Sequence, residues 1–134
     1  MTTIERRVAM VLIDSSVWVS FLQSGGEPQL VQLLGLNEVL MHDMVLGEVA
    51  MGSKEQRNKA LNLLLLLPAM QVAEHAEVLS LVDKHQLNRR GVGYVDLHLL
   101  TAAVLKPGTL LWTRDKRLIA AAQRLGIAFE SLAH

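Results

Sequence analysis

Met10-Val11-Leu12-Ile13-Asp14-Ser15-Ser16 passes from four apolar residues straight into an acid and two hydroxyls. An unbroken apolar run this short suits a strand covered on both faces, the habit of strands in parallel sheets. Asp14, Ser15 and Ser16 then offer side chains that cap a helix by accepting from its free N–H groups. A buried strand leading into a capped helix opens a βα unit, and that unit frames the reading of the rest of the chain.

The alternation continues downstream. A helical turn or two is expected over 17–22, closed by Ser24-Gly25-Gly26, and helical spacing resumes after Pro28 at Leu30, Val31, Leu33 and Leu34. Residues 38–41 read as a second strand, 43–51 as a helix stopped at Gly52, and 54–66 as a helix capped by Ser53. A third strand is expected over 70–73, then a helix over 74–87 with Ala76, Leu79, Val82 and Leu87 inward. Gly91 and Gly93 mark a loop over 88–93, before an apolar helix over 94–105 ended by Lys106-Pro107-Gly108. A strand over 109–113, a helix over 115–125 stopped at Gly126 and a short strand over 127–129 complete the chain. Short apolar strands alternating with helices predict an α/β fold with a short, mainly parallel central sheet and helices on both faces. Residues 1–8 read as an N-terminal extension and 9–134 as a single domain, with no repeat or low-complexity linker.

A chain of 134 residues is long enough to bury a real core without staples. It has no cysteine, which excludes disulfides and thiolate metal sites. Acidic and basic residues balance at 13 each, so no global charge announces a polyanionic partner. Locally the balance tips: from Lys84 to Arg124 eight basic residues stand against two acids, Asp96 and Asp115. Such an excess attracts phosphates, and it equally describes a solvated helix face. The leucine run 63–67 ends at Pro68, far short of the ~20 residues a membrane span needs. Arg6 and Arg7 before an apolar stretch imitate a signal peptide, but Asp14 breaks the stretch early and no small-residue cleavage site follows. A cytoplasmic location is expected. At 51% hydrophobic residues and mean hydropathy +0.30 the chain is apolar for its size, which fits either a partner-covered surface or a leucine-rich core.

Four acids stand out by context. Asp14 follows the first strand, and Asp115 lies two residues beyond a strand ending near Thr113. In a parallel sheet both ends point to one edge, where ligand sites lie. Glu48 sits within Met44-Val45-Leu46-Gly47-Glu48-Val49-Ala50-Met51, and Asp96 near the start of Tyr94-Val95-Asp96-Leu97-His98-Leu99-Leu100. Taken singly, each has an ordinary explanation: a cap for Asp14 or Asp115, a favourable macrodipole for Asp96, a solvated stripe for Glu48. Together they suit a hard cation. Mg²⁺ or Mn²⁺ takes oxygen ligands and keeps waters, and a water on such an ion is acidified enough to attack a phosphodiester.

The segments Val11-Leu12-Ile13-Asp14-Ser15-Ser16-Val17-Trp18, Leu46-Gly47-Glu48-Val49-Ala50-Met51-Gly52, Gly93-Tyr94-Val95-Asp96-Leu97-His98-Leu99-Leu100 and Leu111-Trp112-Thr113-Arg114-Asp115-Lys116-Arg117-Leu118 resemble, in order, those of a PIN domain. The resemblance is to the VapC-type toxins of bacterial toxin–antitoxin pairs, and it spans residues 11–129. It implies a Mg²⁺-dependent endoribonuclease, with Mn²⁺ as the alternative ion. It places Asp14, Glu48, Asp96 and Asp115 on the family's acidic quartet, Asp14, Asp96 and Asp115 as metal ligands and Glu48 beside the attacking water. Thr113 and, less closely, Ser16 fall on hydroxyl positions that support the ligands. Arg89, Arg90, Arg114 and Lys116 become the RNA-contact candidates, joined by Arg117. A homodimer and a cognate antitoxin are the implied partners.

Other residues are given plainer roles. His98 lies two positions after Asp96 and so on another helix face; His42, His75, His85 and His134 have no metal-ligand spacing. Trp18 and Trp112 read as core or interface. A phosphoacceptor domain would need paired acids after the first strand, and Ile13 and Ser15 flank Asp14 instead. A non-catalytic PIN-like module binding RNA or protein is the remaining alternative.

Overall fold

The computed structural model describes residues 9–131; the extension expected over residues 1–8, and His134 with residues 132 and 133, lie outside the described residues. The elements run β1 (Met10–Ile13), α1 (Ser15–Ser24), α2 (Pro28–Gly35), β2 (Val39–Leu40), α3 (Asp43–Ala50), α4 (Lys54–Leu64), α5 (His75–His85), α6 (Tyr94–Leu105), β3 (Thr109–Trp112) and α7 (Lys116–Arg124). The sheet order is β2-β1-β3, all parallel, with Val11 opposite Val39 and Ile13 opposite Trp112. The opening run is therefore the central strand. Val11, Leu12 and Ile13 are all buried, so both faces of β1 are covered, and the α/β architecture with flanking helices is the one expected.

Local chemistry explains the junctions. Asp14 caps α1, accepting from the Ser15 N–H at 2.7 Å, and Gly25 ends that helix at φ 66, a conformation cheap only for glycine. Ser53 caps α4, and Asp115 caps α7 through the Arg117 and Leu118 N–H groups. The two tryptophans belong to the core, Trp18 wholly buried and Trp112 nearly so, the latter packed on Phe129.

Three expectations need correction. The strand expected over 70–73 is replaced by a single parallel bridge one residue earlier, Met41 with Ala69, and that over 127–129 shrinks to one bridge, Leu111 with Ala128. Each is an outermost segment, hydrogen-bonded from one side only, and little register survives there. In α5 the inward face is Val78, Leu81 and, half-buried, Val82; Val82 and the buried Leu87 are as expected, while Ala76 is exposed and Leu79 is 48% exposed. Helix α5 carries two apolar stripes about one residue apart, and only its packing against α6 selects between them.

Candidate active site

β1 and β3 end side by side because the Asp14 N–H donates to the Trp112 carbonyl at 2.9 Å. That bond carries the ladder one step past the strands and sets Asp14 beside Thr113. The crevice lies between β1 and β3, whose following connections run in opposite directions, to β2 on one side and to the bridge at Ala128 on the other, the usual place for a site in an open parallel sheet.

Asp14 is the floor of this crevice. Although buried, it is held by donors alone: Oδ1 accepts the Ser15 N–H, and Oδ2 accepts the Ser16 and Thr113 hydroxyls, each at 2.8 Å. Donors on both oxygens offset the cost of burying a carboxylate. Ser16 in turn accepts the Arg114 N–H at 3.1 Å, and Thr113 Oγ1 accepts the Asp115 N–H at 3.1 Å. The hydroxyls of Ser16 and Thr113 thus tie the β3–α7 turn to the β1–α1 junction.

The other acids arrive from two helices, α3 and α6, and from the cap of a third, α7. Asp14, Ser15, Ser16, Val19, Glu48, Asp96 and Asp115 line one open cleft of about 370 Å³. Asp96, in the first turn of α6, is half-buried, and its carboxyl pKa is pushed up to about 6, first by loss of water and then by the charges of Asp14, Glu48 and Asp115. Glu48, on α3 and more open to solvent, is also raised, by desolvation and then Asp14, against a hydrogen bond from Ser15. Both bonds to Asp115 fall on its Oδ1. Four carboxylates separated in sequence therefore share one field, and among the described residues none of them has a salt bridge.

Two contributors are not evident in the sequence. The Ser15 hydroxyl reaches Glu48 Oε1 at 3.3 Å, spanning the gap between Asp14 and Glu48. Glu27, buried ahead of Pro28, pairs with the half-exposed guanidinium of Arg114. The only sequence signals are the adjacency of Ser15 to Asp14 and the position of Glu27 before a helix-starting proline.

The basic candidates gather near α7. Arg89, Arg90 and Lys116 are exposed. Gly91, at φ 74, lies so close under the Arg117 side chain that a Cβ there would stand 2.7 Å from its Cδ, so the loop bearing Arg89 and Arg90 closes onto the first turn of α7. His98 is buried, its Nε2 3.0 Å from the Tyr94 hydroxyl, and His42 caps α3 by accepting the Met44 N–H. Burial holds both imidazoles below their ordinary pKa, with a neighbouring histidine adding to it in each case.

The donor set fits a hard divalent cation. It is all oxygen, and Asp96 is partly desolvated with no salt bridge among the described residues. No three acidic or histidine side chains among the described residues already converge as a group able to hold one ion. Mutual repulsion keeps bare carboxylates apart, and Mg²⁺ typically takes only one or two directly, the rest through water.

Comparison with known proteins identifies the family. The PIN domain model matches residues 11–124. Ribonuclease VapC32 of Mycobacterium tuberculosis, from strain H37Rv and from strain CDC 1551 / Oshkosh, is 45% identical over 119 residues, covering 89% of this chain and 95% of the relative. The crystal structure of PAE2754 from Pyrobaculum aerophilum superimposes with a TM-score of 0.63 at 15% identity, covering 90% of this chain and 88% of that one, which bears on the fold alone. The chain belongs to the PIN-domain family, in its VapC-type branch.

Proposed function

We propose that the chain is an endoribonuclease toxin that cuts RNA with Mg²⁺, or Mn²⁺ in its place, at the cleft of Asp14, Glu48, Asp96 and Asp115, and that a cognate antitoxin neutralises it. One observation carries the reading: Asp96 lies half-buried among three other carboxylates with no salt bridge among the described residues, its pKa raised first by burial and then by all three. A chain that leaves such a deficit relies on a cation from outside.

Asp14, Asp96 and Asp115 would hold the ion. Bound there, a divalent cation supplies Lewis acidity toward the phosphodiester and makes water easier to deprotonate. Ser16, Thr113 and the Ser15 N–H keep Asp14 in one rotamer, so the ligand is set before substrate arrives. Glu48, with its raised pKa, orients the attacking water and takes its proton, while Ser15 steadies the carboxylate. Arg89, Arg90, Lys116 and Arg117 draw the RNA backbone toward the cleft.

The same reading carries a second copy of the chain, an antitoxin and a cytoplasmic location. Met51 and Leu66, each 81% exposed, with Leu65 at 59%, offer apolar surface for protein partners. No described helix is long and apolar enough to cross a membrane. The test is incubation of the purified chain, stripped of any bound antitoxin, with RNA. Cleavage should appear with Mg²⁺ or Mn²⁺, stop with EDTA and be lost in Asp96→Asn. Intact RNA with both ions would refute the proposal.

A further inference from the structure

The Thr113–Arg114–Asp115 turn borders two cavities: Asp115 lines the acid cleft, and Thr113 and Arg114 line a second cavity of about 560 Å³. Its walls are unlike those of the cleft. Ile119 and Phe129 are apolar, and Phe129 is backed by the buried Trp112, with ring centroids 5.0 Å apart, so it offers a firm aromatic surface. Gln123 brings an amide from α7, Glu130 a carboxylate, and Arg114 a guanidinium already oriented by the buried Glu27. The volume falls in the range of small-molecule sites, roughly 300–1,000 Å³.

Resting on the ribonuclease reading, we propose that this cavity receives the base of the nucleotide adjoining the scissile phosphate. The chemistry selects a base over a phosphate: Glu130 repels an anion, whereas Phe129 and Ile119 suit a flat ring. It also selects among bases. The Glu130 carboxylate only accepts hydrogen bonds, and the Gln123 amide both donates and accepts. Guanine presents N1–H and an amino group side by side to the carboxylate, and adenine and cytosine an amino group; uracil has only N3–H, flanked by two carbonyl oxygens that Glu130 repels, and is the least favoured. Arg114, at the partition, faces the phosphate that links the two nucleotides.

Two measurements decide this. In the first, isotope-labelled Asp96→Asn chain is titrated with the four nucleoside 5′-monophosphates and followed by amide NMR. Shifts are expected at Ile119, Gln123 and Phe129, largest for amino-bearing bases, and reduced in a Gln123→Ala background. Shifts confined to the acid cleft, or equal for all four bases, would overturn the assignment. In the second, cut ends from a random RNA pool are mapped for the wild type, Glu130→Gln and Phe129→Leu. Discrimination against uridine beside the cut should fall about tenfold in Glu130→Gln, the worth of one good base contact, with Phe129→Leu weakening all bases together. Unchanged discrimination in Glu130→Gln would refute the base site and return the cavity to a protein partner, while leaving the nuclease reading in place. A wild type that cuts nothing strikes the nuclease reading instead, and the NMR titration still judges the cavity.

Discussion

Glu27 and Asp96 are both acids drawn beneath the surface, and the chain treats them in opposite ways. At the α1–α2 junction Glu27 is buried against the guanidinium of Arg114. Across the β3–α7 turn, Asp96 meets Asp14, Glu48 and Asp115, and among the described residues no salt bridge reaches it. The first arrangement closes its own charge balance and serves the fold. The second leaves the balance open, which costs stability in the free chain and, on the proposed function, favours a bound cation. Arg114 and Asp115 are neighbours in sequence, so one turn serves both regions.

The comparison breaks most visibly in catalysis. Asp96→Asn should reduce RNA cleavage by roughly a thousandfold, as loss of a transition-state contact does, while the metal-free melting temperature stays level or rises. A clear fall in that temperature would mean Asp96 is structural, like Glu27. The reciprocal change is Arg114→Met. It strands a buried carboxylate and should destabilise the chain by about 3 kcal/mol in urea unfolding, at the low end of such losses because the guanidinium is half-exposed. Unfolding that matches the wild type would show that Glu27 finds other compensation.

Acidity and metal sharpen the contrast. The folded chain keeps the Asp96 proton up to about pH 6, against an ordinary value of 3.8. Over that window the folded state binds more protons than the unfolded one, so stability falls as pH rises through it. A divalent ion should reverse this. At a hundredfold excess over Kd it contributes about 2.7 kcal/mol, on the order of 10 °C in melting temperature for a domain this size, above pH 6 and not below pH 4. An equal rise at both pH values would place the ion elsewhere. The smallest effect concerns RNA capture: neutralising Arg89, Arg90 or Lys116 singly should lower the slope of log affinity against log salt by about one each, with an unchanged slope removing that residue from the interface.

Much of this was legible from local rules. The apolar run into Asp14, and the placing of Asp115 just past a strand, are capping and strand-end signals that need only neighbours in sequence. The parallel sheet followed from short apolar segments alternating with helices. The inward face of α5 was not legible, because either of its stripes satisfies the helical period and only α6 chooses. The outermost strands faded for a similar reason: β-propensity there is not backed by a partner on each side.

The sequence by itself determined which residue types stand at the strand ends and in the two acid-bearing helices, because those choices rest on periodicity and caps within a few residues. Only the tertiary structure decided that Thr113 donates to Asp14 from 99 positions away, that Ser15 reaches Glu48 and that Glu27 holds Arg114. Those pairings depend on strand order and helix docking. Coulomb forces between carboxylates act over a few ångströms of space, and distance along the chain says nothing about that separation until the sheet has formed.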